Sequence, residues 1–308
     1  MRRFELAQVV CRRLPPILAQ RVRIILYPYA LAQQEKRELV VRSQTGSRLR
    51  VNTSDYYSYP FSVHGYYEWR NVILTKTLAS DGDRIIEIGA NVGTETVGFS
   101  DIAGRRGEIH AFEPLPSNLS NLYELAKLSE NNNIVIHPHA LSDSDRTCDF
   151  IIPPLHRSGI GHIIHDDQVE TKTIKVDCRT LDSIANDIGP SKLIFIDAEG
   201  EDVRILRGGR EYINLSHPTM VVEASAKLLQ RNGSSIDILY DEIKRLGYTP
   251  YQISRLGLRK IYPHNIHKFT NWVCIYKNKE SVVRKLRRSI LLAGILPCIP
   301  GINPLTSV

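Results

Sequence analysis

Residues 85–93, Ile-Ile-Glu-Ile-Gly-Ala-Asn-Val-Gly, read as an apolar strand with one acid that breaks into a glycine turn and opens a helix near Thr94. Strands written as near-continuous apolar runs are buried on both faces of a parallel sheet, and ligands of such sheets sit beyond the strands' carboxyl ends. Gly89 and Gly93 remove Cβ where a ligand approaches backbone, and the helix start directs free N–H groups towards it. The stretch thus predicts a nucleoside site, although a tight strand-to-helix turn alone would use the same glycines. Residues 108–113, Glu-Ile-His-Ala-Phe-Glu, form a second short strand ending in Glu113, 24 positions after Gly89. An acid about 20 residues past the turn is placed to accept hydrogen bonds from ribose hydroxyls. Pro114 and Pro116 stop that strand, and apolar Leu119, Leu122 and Leu125 then recur at helical spacing.

Outward from this centre the chain alternates strands with helices. Strands are expected at 134–139, 193–197, 219–223, 250–253 and 272–276, helices from 71, 203 and 236, and a hairpin-like excursion at 150–152 and 173–176 around a long loop, 153–170. With the strands at 85 and 108 this makes seven. Alternation of this kind predicts a doubly wound sheet with right-handed crossovers. Ahead of it, residues 38–51 suggest a β-hairpin around Thr45-Gly46-Ser47, and residues 53–69 are rich in Tyr.

Charge divides the chain. Residues 1–50 carry 11 Lys/Arg against 3 Asp/Glu and residues 281–308 carry 4 against 0, so the basic balance sits at the ends, while residues 51–280 are acidic with 25 against 30. Both ends interleave those cations with apolar residues, and Pro15-Pro16 split the first into two short helices. Neither run reaches the ~20 residues that span a bilayer. Two roles fit residues 1–31 and 281–308: attachment to an anionic membrane face, or packing on the body or a second subunit. Nucleic acid is not expected, because no stacking motif accompanies the arginines. The broken apolar pattern after Met1 does not read as a signal peptide, which predicts a cytoplasmic chain. Five scattered cysteines without a CxxC pair read as reduced thiols.

Three ordered blocks, residues 86–93, His110 to Asn118 (HAFEPLPSN) and Phe195 to Asp202 (FIDAEGED), resemble the signatures of the FkbM-type methyltransferases. The resemblance spans about residues 61–276. It implies a Rossmann-like class I S-adenosylmethionine-dependent O-methyltransferase with a seven-stranded sheet, its last strand antiparallel. The implied domain covers 61–280, with a helical and β-hairpin extension at 1–60 and an amphipathic tail at 281–308. Acceptors in such proteins are hydroxyls of sugars, glycans, glycolipids or polyketides. The resemblance places Glu87, Gly89, Asn91 and Gly93 along the methionine and ribose portion of the cofactor, Glu113 on the ribose, and Ala140 and Leu141 near adenine. Asp197 and Glu199 then lie beside the transferred methyl. Glu87 stands where the family more often has Asp, and Phe195 where it often has Lys. Tyr66 and Glu68 match a segment that closes over the cofactor.

An alcohol is a poor nucleophile, so transfer to it calls for a positioned base. Asp197 is the first candidate and Glu199 the second, and a close pair of carboxylates could also hold a divalent cation. His162, grouped with His165, Asp166 and Asp167 in the long loop, is a third candidate, against the plainer reading of solvated loop histidines. Glu223, at a strand tip, could meet acceptor hydroxyls. Two rivals remain: a nicotinamide-dependent oxidoreductase, though the turn lacks the GxGxxG order that admits a pyrophosphate, and a non-catalytic membrane-surface adaptor that keeps the fold.

Overall fold

The computed structural model describes residues 2–165, 172–261 and 270–306. Helices α1 (Arg3–Cys11), α2 (Pro16–Leu26) and α3 (Tyr29–Glu35) precede a hairpin of β1 (Glu38–Arg42) and β2 (Arg48–Asn52), then α4 (Ser58–His64) and α5 (Trp69–Leu78). The central unit runs β3 (Arg84–Ile88), α6 (Thr96–Ala103), β4 (Glu108–Phe112), α7 (Pro116–Leu128) and β5 (Ile134–His137). A three-stranded insertion follows, β6 (Ala140–Leu141), β7 (Arg146–Ile151) and β8 (Thr173–Arg179). After the short α8 (Ala185–Ile188) come β9 (Leu193–Ile196), α9 (Asp202–Gly208), α10 (Arg210–Ser216), β10 (Thr219–Ala224), α11 (Ala226–Arg231), α12 (Ile236–Arg245), β11 (Tyr248–Ser254), β12 (Gly257–Lys260), β13 (Thr270–Tyr276) and α13 (Glu280–Ile295).

The main sheet has the order β12-β11-β13-β10-β9-β3-β4-β5. β3, β4, β5, β9 and β10 pair in parallel, and β13 enters antiparallel between β10 and β11. This is the expected doubly wound sheet with its antiparallel last strand. An eighth strand, β12, extends the edge as a hairpin with β11, and the sequence reading passed over it. Successive side chains alternate across the sheet and feed two cores. Ile86, Ile88, Ile194, Ile196, Met220 and Val222 pack towards α9, α10 and α12, whereas Ile85, Ile109, Leu193, Phe195, Val221 and Val273 pack towards α5, α6 and α13. Burial of both faces is why these strands are written without polar alternation. Phe195, in the place of a familial lysine, stacks on Phe99 with ring centroids 4.3 Å apart, inside the second core.

Both basic ends pack on the body. Phe4, Ala7, Cys11, Ala19 and Tyr27 form a core with Tyr59 and Val63 of α4, and α13 lies against α5 and α2. Their outer faces keep exposed apolar residues, among them Leu18, Ile25, Leu291 and Ile295. Among the described residues no helix is long and apolar enough to cross a membrane. The expectation of five free thiols is corrected at one pair: Cys148 and Cys178 lie diagonally across the β7–β8 pair, Cys148 opposite Val176 and Cys178 opposite Arg146, with Cα atoms 6.3 Å apart, and are joined as a disulfide. Separation in sequence hid what hairpin pairing brings together; Cys11, Cys274 and Cys298 are free and buried.

Candidate active site

Every parallel strand of the main sheet ends at one edge, and the glycine turn lies there. Gly89 N and Ala90 N both donate to Phe112 O at 3.0 Å, which folds the turn back on β4. Gly89 (φ 88°), Asn91 (φ 51°) and Gly93 (φ 85°) all take left-handed conformations. A Cβ on Gly89 would sit 1.9 Å from Asp197 O, so the turn and the end of β9 touch backbone to backbone. Gly93 instead admits Leu125 and Leu122 of α7, which locks that helix behind the turn.

Glu113, at the tip of β4, accepts from Asn91 N through Oε2 and from Leu115 N through Oε1, each at 2.9 Å. Each carboxylate oxygen retains a second lone pair for a ligand hydroxyl. Replacing Glu113 by Gln exchanges one acceptor for a donor that faces a backbone N–H. Affinity for the nucleoside cofactor is expected to fall about 10-fold or more, read by calorimetry.

Beside the turn opens a cavity of about 560 Å³, lined by Gly89, Asn91, Glu113, Ala140, Leu141, Asp197 and Glu199 among others. Seven of the ten residues expected at the site therefore meet round one cavity. Glu87, Gly93 and His162 are not in its lining. Glu87 is buried behind the turn with Oε2 unpartnered, and the His162 ring sits 3.0 Å from Ile160 O. Asp166 and Asp167 lie outside the described residues. The excursion supplies cavity wall: Phe150 of β7 and Ser158, Gly159, Gly161 and Ile163 of the loop line it. Ser158 N donates to Asp55 Oδ1 at 3.1 Å and Tyr56 N to His156 O at 3.0 Å, while His165 Nε2 lies 2.6 Å from Glu201 Oε2.

One end of the site is crowded with acids. Burial pushes Glu87 up to about 8, Glu113 and Glu199 to about 7 and Asp197 to about 6. Burial also raises Asp202 and Glu223 well above the carboxylate range; both Asp202 oxygens and Glu223 Oε2 lack partners. Arg231 answers them, donating to Glu199 O and lying 3.8 Å from Glu199 Oε2. Glu199 holds a left-handed φ of 52°, strain that an L-residue carries where the fold over-determines it. Among the described residues no group of three or more His, Cys, Asp or Glu could hold a metal ion.

Tyr57 and Tyr67, with ring centroids 5.8 Å apart, stand at these acids, and burial followed by the charges of Glu199 and Asp197 raises the Tyr57 phenol. Sequence reasoning noticed the tyrosine-rich lead-in but singled out Tyr66, which packs in the core against His64, 5.0 Å between centroids. Only tertiary placement separates these tyrosines, and no local signal marks Tyr57.

The methyltransferase FkbM domain model matches residues 87–250, over half of the chain and all of the turn, the Glu113 tip and the acidic block. The chain belongs to the FkbM methyltransferase family. No curated protein sequence matches it significantly. Among solved structures it is similar to an FkbM methyltransferase from Methylobacillus flagellatus KT, at 16% identity and a TM-score of 0.42 over 89% of this chain. This FkbM-family chain spans 58% of that protein's length. It is also similar to precorrin-6y C5,15-methyltransferase of Geobacter metallireducens (13%, TM-score 0.39, 69% of this chain and 89% of that one). Aeropyrum pernix fibrillarin, solved with S-adenosyl-L-methionine bound, follows at 14% and a TM-score of 0.39, covering 77% of this chain and 81% of that one.

Six carboxylates of the FkbM-family site have folded pKa values above their ordinary ones, so the unfolded chain ionises first and stability falls as pH rises towards the folded values. The unliganded protein's Tm is expected to decline between about pH 4, where these carboxylates ionise in the unfolded chain, and about pH 8, the folded value of Glu87. A cationic ligand should reduce the decline, which thermal scans with and without S-adenosylmethionine would register.

Proposed function

We propose that this FkbM-family member moves the methyl group of S-adenosylmethionine to a hydroxyl of a sugar, glycan or lipid-linked sugar. One observation carries the reading: Glu113 ties the Gly89–Gly93 turn to the strand tip beside a cavity that Glu199, a carboxylate with a pKa of about 7, also lines. The unpartnered, buried Glu87 Oε2 and Asn91 Oδ1 fit a cofactor bearing an ammonium and hydroxyls. Glu113 would hold the ribose, Ala140, Leu141, Phe150 and Ile163 would enclose the base, and Glu87 and Asn91 would face the methionine portion.

When bound, S-adenosylmethionine supplies a sulfonium methyl that is open to in-line displacement. Glu199, poised near neutrality and reaching the cavity, takes the proton of the acceptor hydroxyl. Asp197 stands beside it as the alternative base. Arg231 fixes Glu199 and keeps one of its oxygens oriented. Tyr57 and Tyr67 offer ring faces to an acceptor whose hydroxyls meet Glu199 and Glu223. His162, turned to a backbone carbonyl, ranks below both carboxylates. Residues 61–280 are proposed as the catalytic unit, braced by 1–60 and 281–308, acting in the cytoplasm at an inner membrane face where lipid-linked acceptors are presented.

Calorimetry against S-adenosylmethionine and NAD separates the methyltransferase from the oxidoreductase: NAD binding without S-adenosylmethionine binding would sink the proposal. Mass spectrometry of glycans and glycolipids from cells with and without the protein should show acceptors lighter by one methylene in its absence. If no species changes mass and no acceptor is methylated in vitro, the adaptor reading takes its place.

A further inference from the structure

We infer that the groove between the β11–β12 turn and α13 docks the protein on the anionic phospholipid surface of a bilayer. This rests on the proposed membrane-face location and deepens it by naming a surface that joins part of the basic C-terminal stretch to the β11–β12 hairpin, whose Arg255 and Arg259 lie outside the chain ends. The groove, about 1030 Å³ and open, is lined by Ser254, Arg255, Leu256, Gly257, Leu258, Arg259, Arg287, Arg288 and Leu291. Four arginines and no acid line it, and all four are exposed. No ion pair among the described residues engages any of them, and residues 262–269, between β12 and β13, contain no Asp or Glu.

Apolar side chains complete the surface. Leu256 and Leu291 are each 41% exposed, and Ile295 is 51% exposed. On α13, Arg284, Arg288, Leu291 and Ile295 recur at helical spacing, so cations and apolar tips share one outward stripe. Leu256 and Ile17 meet at Gly294, where a Cβ would lie 2.9 Å from Leu256 Cδ2 and 3.1 Å from Ile17 Cδ1, which joins the hairpin turn, α13 and α2 into one face. A cationic rim around protruding leucines suits headgroup phosphates with shallow insertion into the acyl boundary. The acidic body, 25 Lys/Arg against 30 Asp/Glu, would face away from such a surface.

Topology relates this face to the cavity. β11 runs parallel to β10, since β13 is antiparallel to both, so Ser254 ends at the sheet edge that also carries Gly89, Glu113 and Asp197. Arg70 of α5 braces the turn, its Nε donating to Ser254 O at 3.1 Å and its Nη2 to Arg255 O at 3.0 Å. α5 starts directly after Tyr67 and Glu68 at the acids, so a bilayer seated on the groove lies beside the acceptor end.

The test is co-sedimentation of the full chain with vesicles of phosphatidylcholine alone or of equal phosphatidylcholine and phosphatidylglycerol. Binding should require the anionic lipid and fall with added salt. At about fivefold per arginine, the Arg255→Glu/Arg288→Glu variant should lose about 25-fold or more; Arg255→Lys/Arg288→Lys should retain it. Leu256→Ser/Leu291→Ser should weaken binding while the salt dependence persists. Thermal melting and S-adenosylmethionine affinity should match the parent in each variant. Equal sedimentation with both vesicles, or an unaffected charge-reversal variant, overturns the inference. So does full release by millimolar glycerol phosphate, which would make the groove a site for soluble phosphate. Methylation of a soluble acceptor, assayed in parallel, reports separately on the proposed transferase activity.

Discussion

Glu199→Gln is expected to lower kcat by ~10²–10⁴-fold while leaving S-adenosylmethionine affinity near the parent value. The substitution conserves shape and leaves the Glu199 carbonyl to accept from Arg231, so the fold and the cofactor walls remain. What disappears is an acceptor for the hydroxyl proton. Only the ionised carboxylate serves as base, and burial raises its pKa to about 7, so the parent's rate should climb as pH rises through that value. The residual activity of the variant should lack this limb. Single-turnover rates between about pH 6 and 8 would check both points. A full loss in Asp197→Asn, with Glu199→Gln unchanged, would transfer the base assignment to Asp197.

Gly89→Ala is expected to cost about 3 kcal/mol or more and to abolish cofactor binding, because two independent penalties coincide. At φ 88° an L-residue is strained, and the new Cβ would stand 1.9 Å from the Asp197 carbonyl oxygen. That oxygen is backbone at the end of β9 and cannot rotate aside. Relief requires parting β3 from β9, the pair on which the site edge is built. Gly93→Ala is a useful contrast, since its Cβ meets the flexible ends of Leu125 and Leu122. Urea unfolding and calorimetry on both variants should rank Gly89 well above Gly93 in each measurement.

The legible parts of this protein share a cause. Ile85–Gly93, the Glu113 tip and the 195–202 block are segments in which local chemistry and function coincide: a doubly buried strand must be apolar, and its ligand-facing end must turn on glycine and stop at an acid. Fold class, the acid at the β4 tip and the neighbouring carboxylates could therefore be read along the chain. Where partners are distant in sequence, reading failed. Cys148 and Cys178 look unrelated until β7 and β8 pair them. Tyr66 and Tyr57 look alike until α4 and the loop at 158–161 send one into the core and the other to the acids.

Local sequence was sufficient for the doubly wound sheet, its glycine turn and its order of acids, because strand burial and turn stereochemistry act over a few residues. Tertiary structure alone decided that Glu113, Asp197 and Glu199 reach the cavity with raised pKa values, which tyrosines stand at the acids, and that both basic ends fold back on the body. It also set Arg255 and Leu256 against α13 and on the active edge. Each of these depends on desolvation and charge contributed by residues far along the chain, and only packing determines those distances.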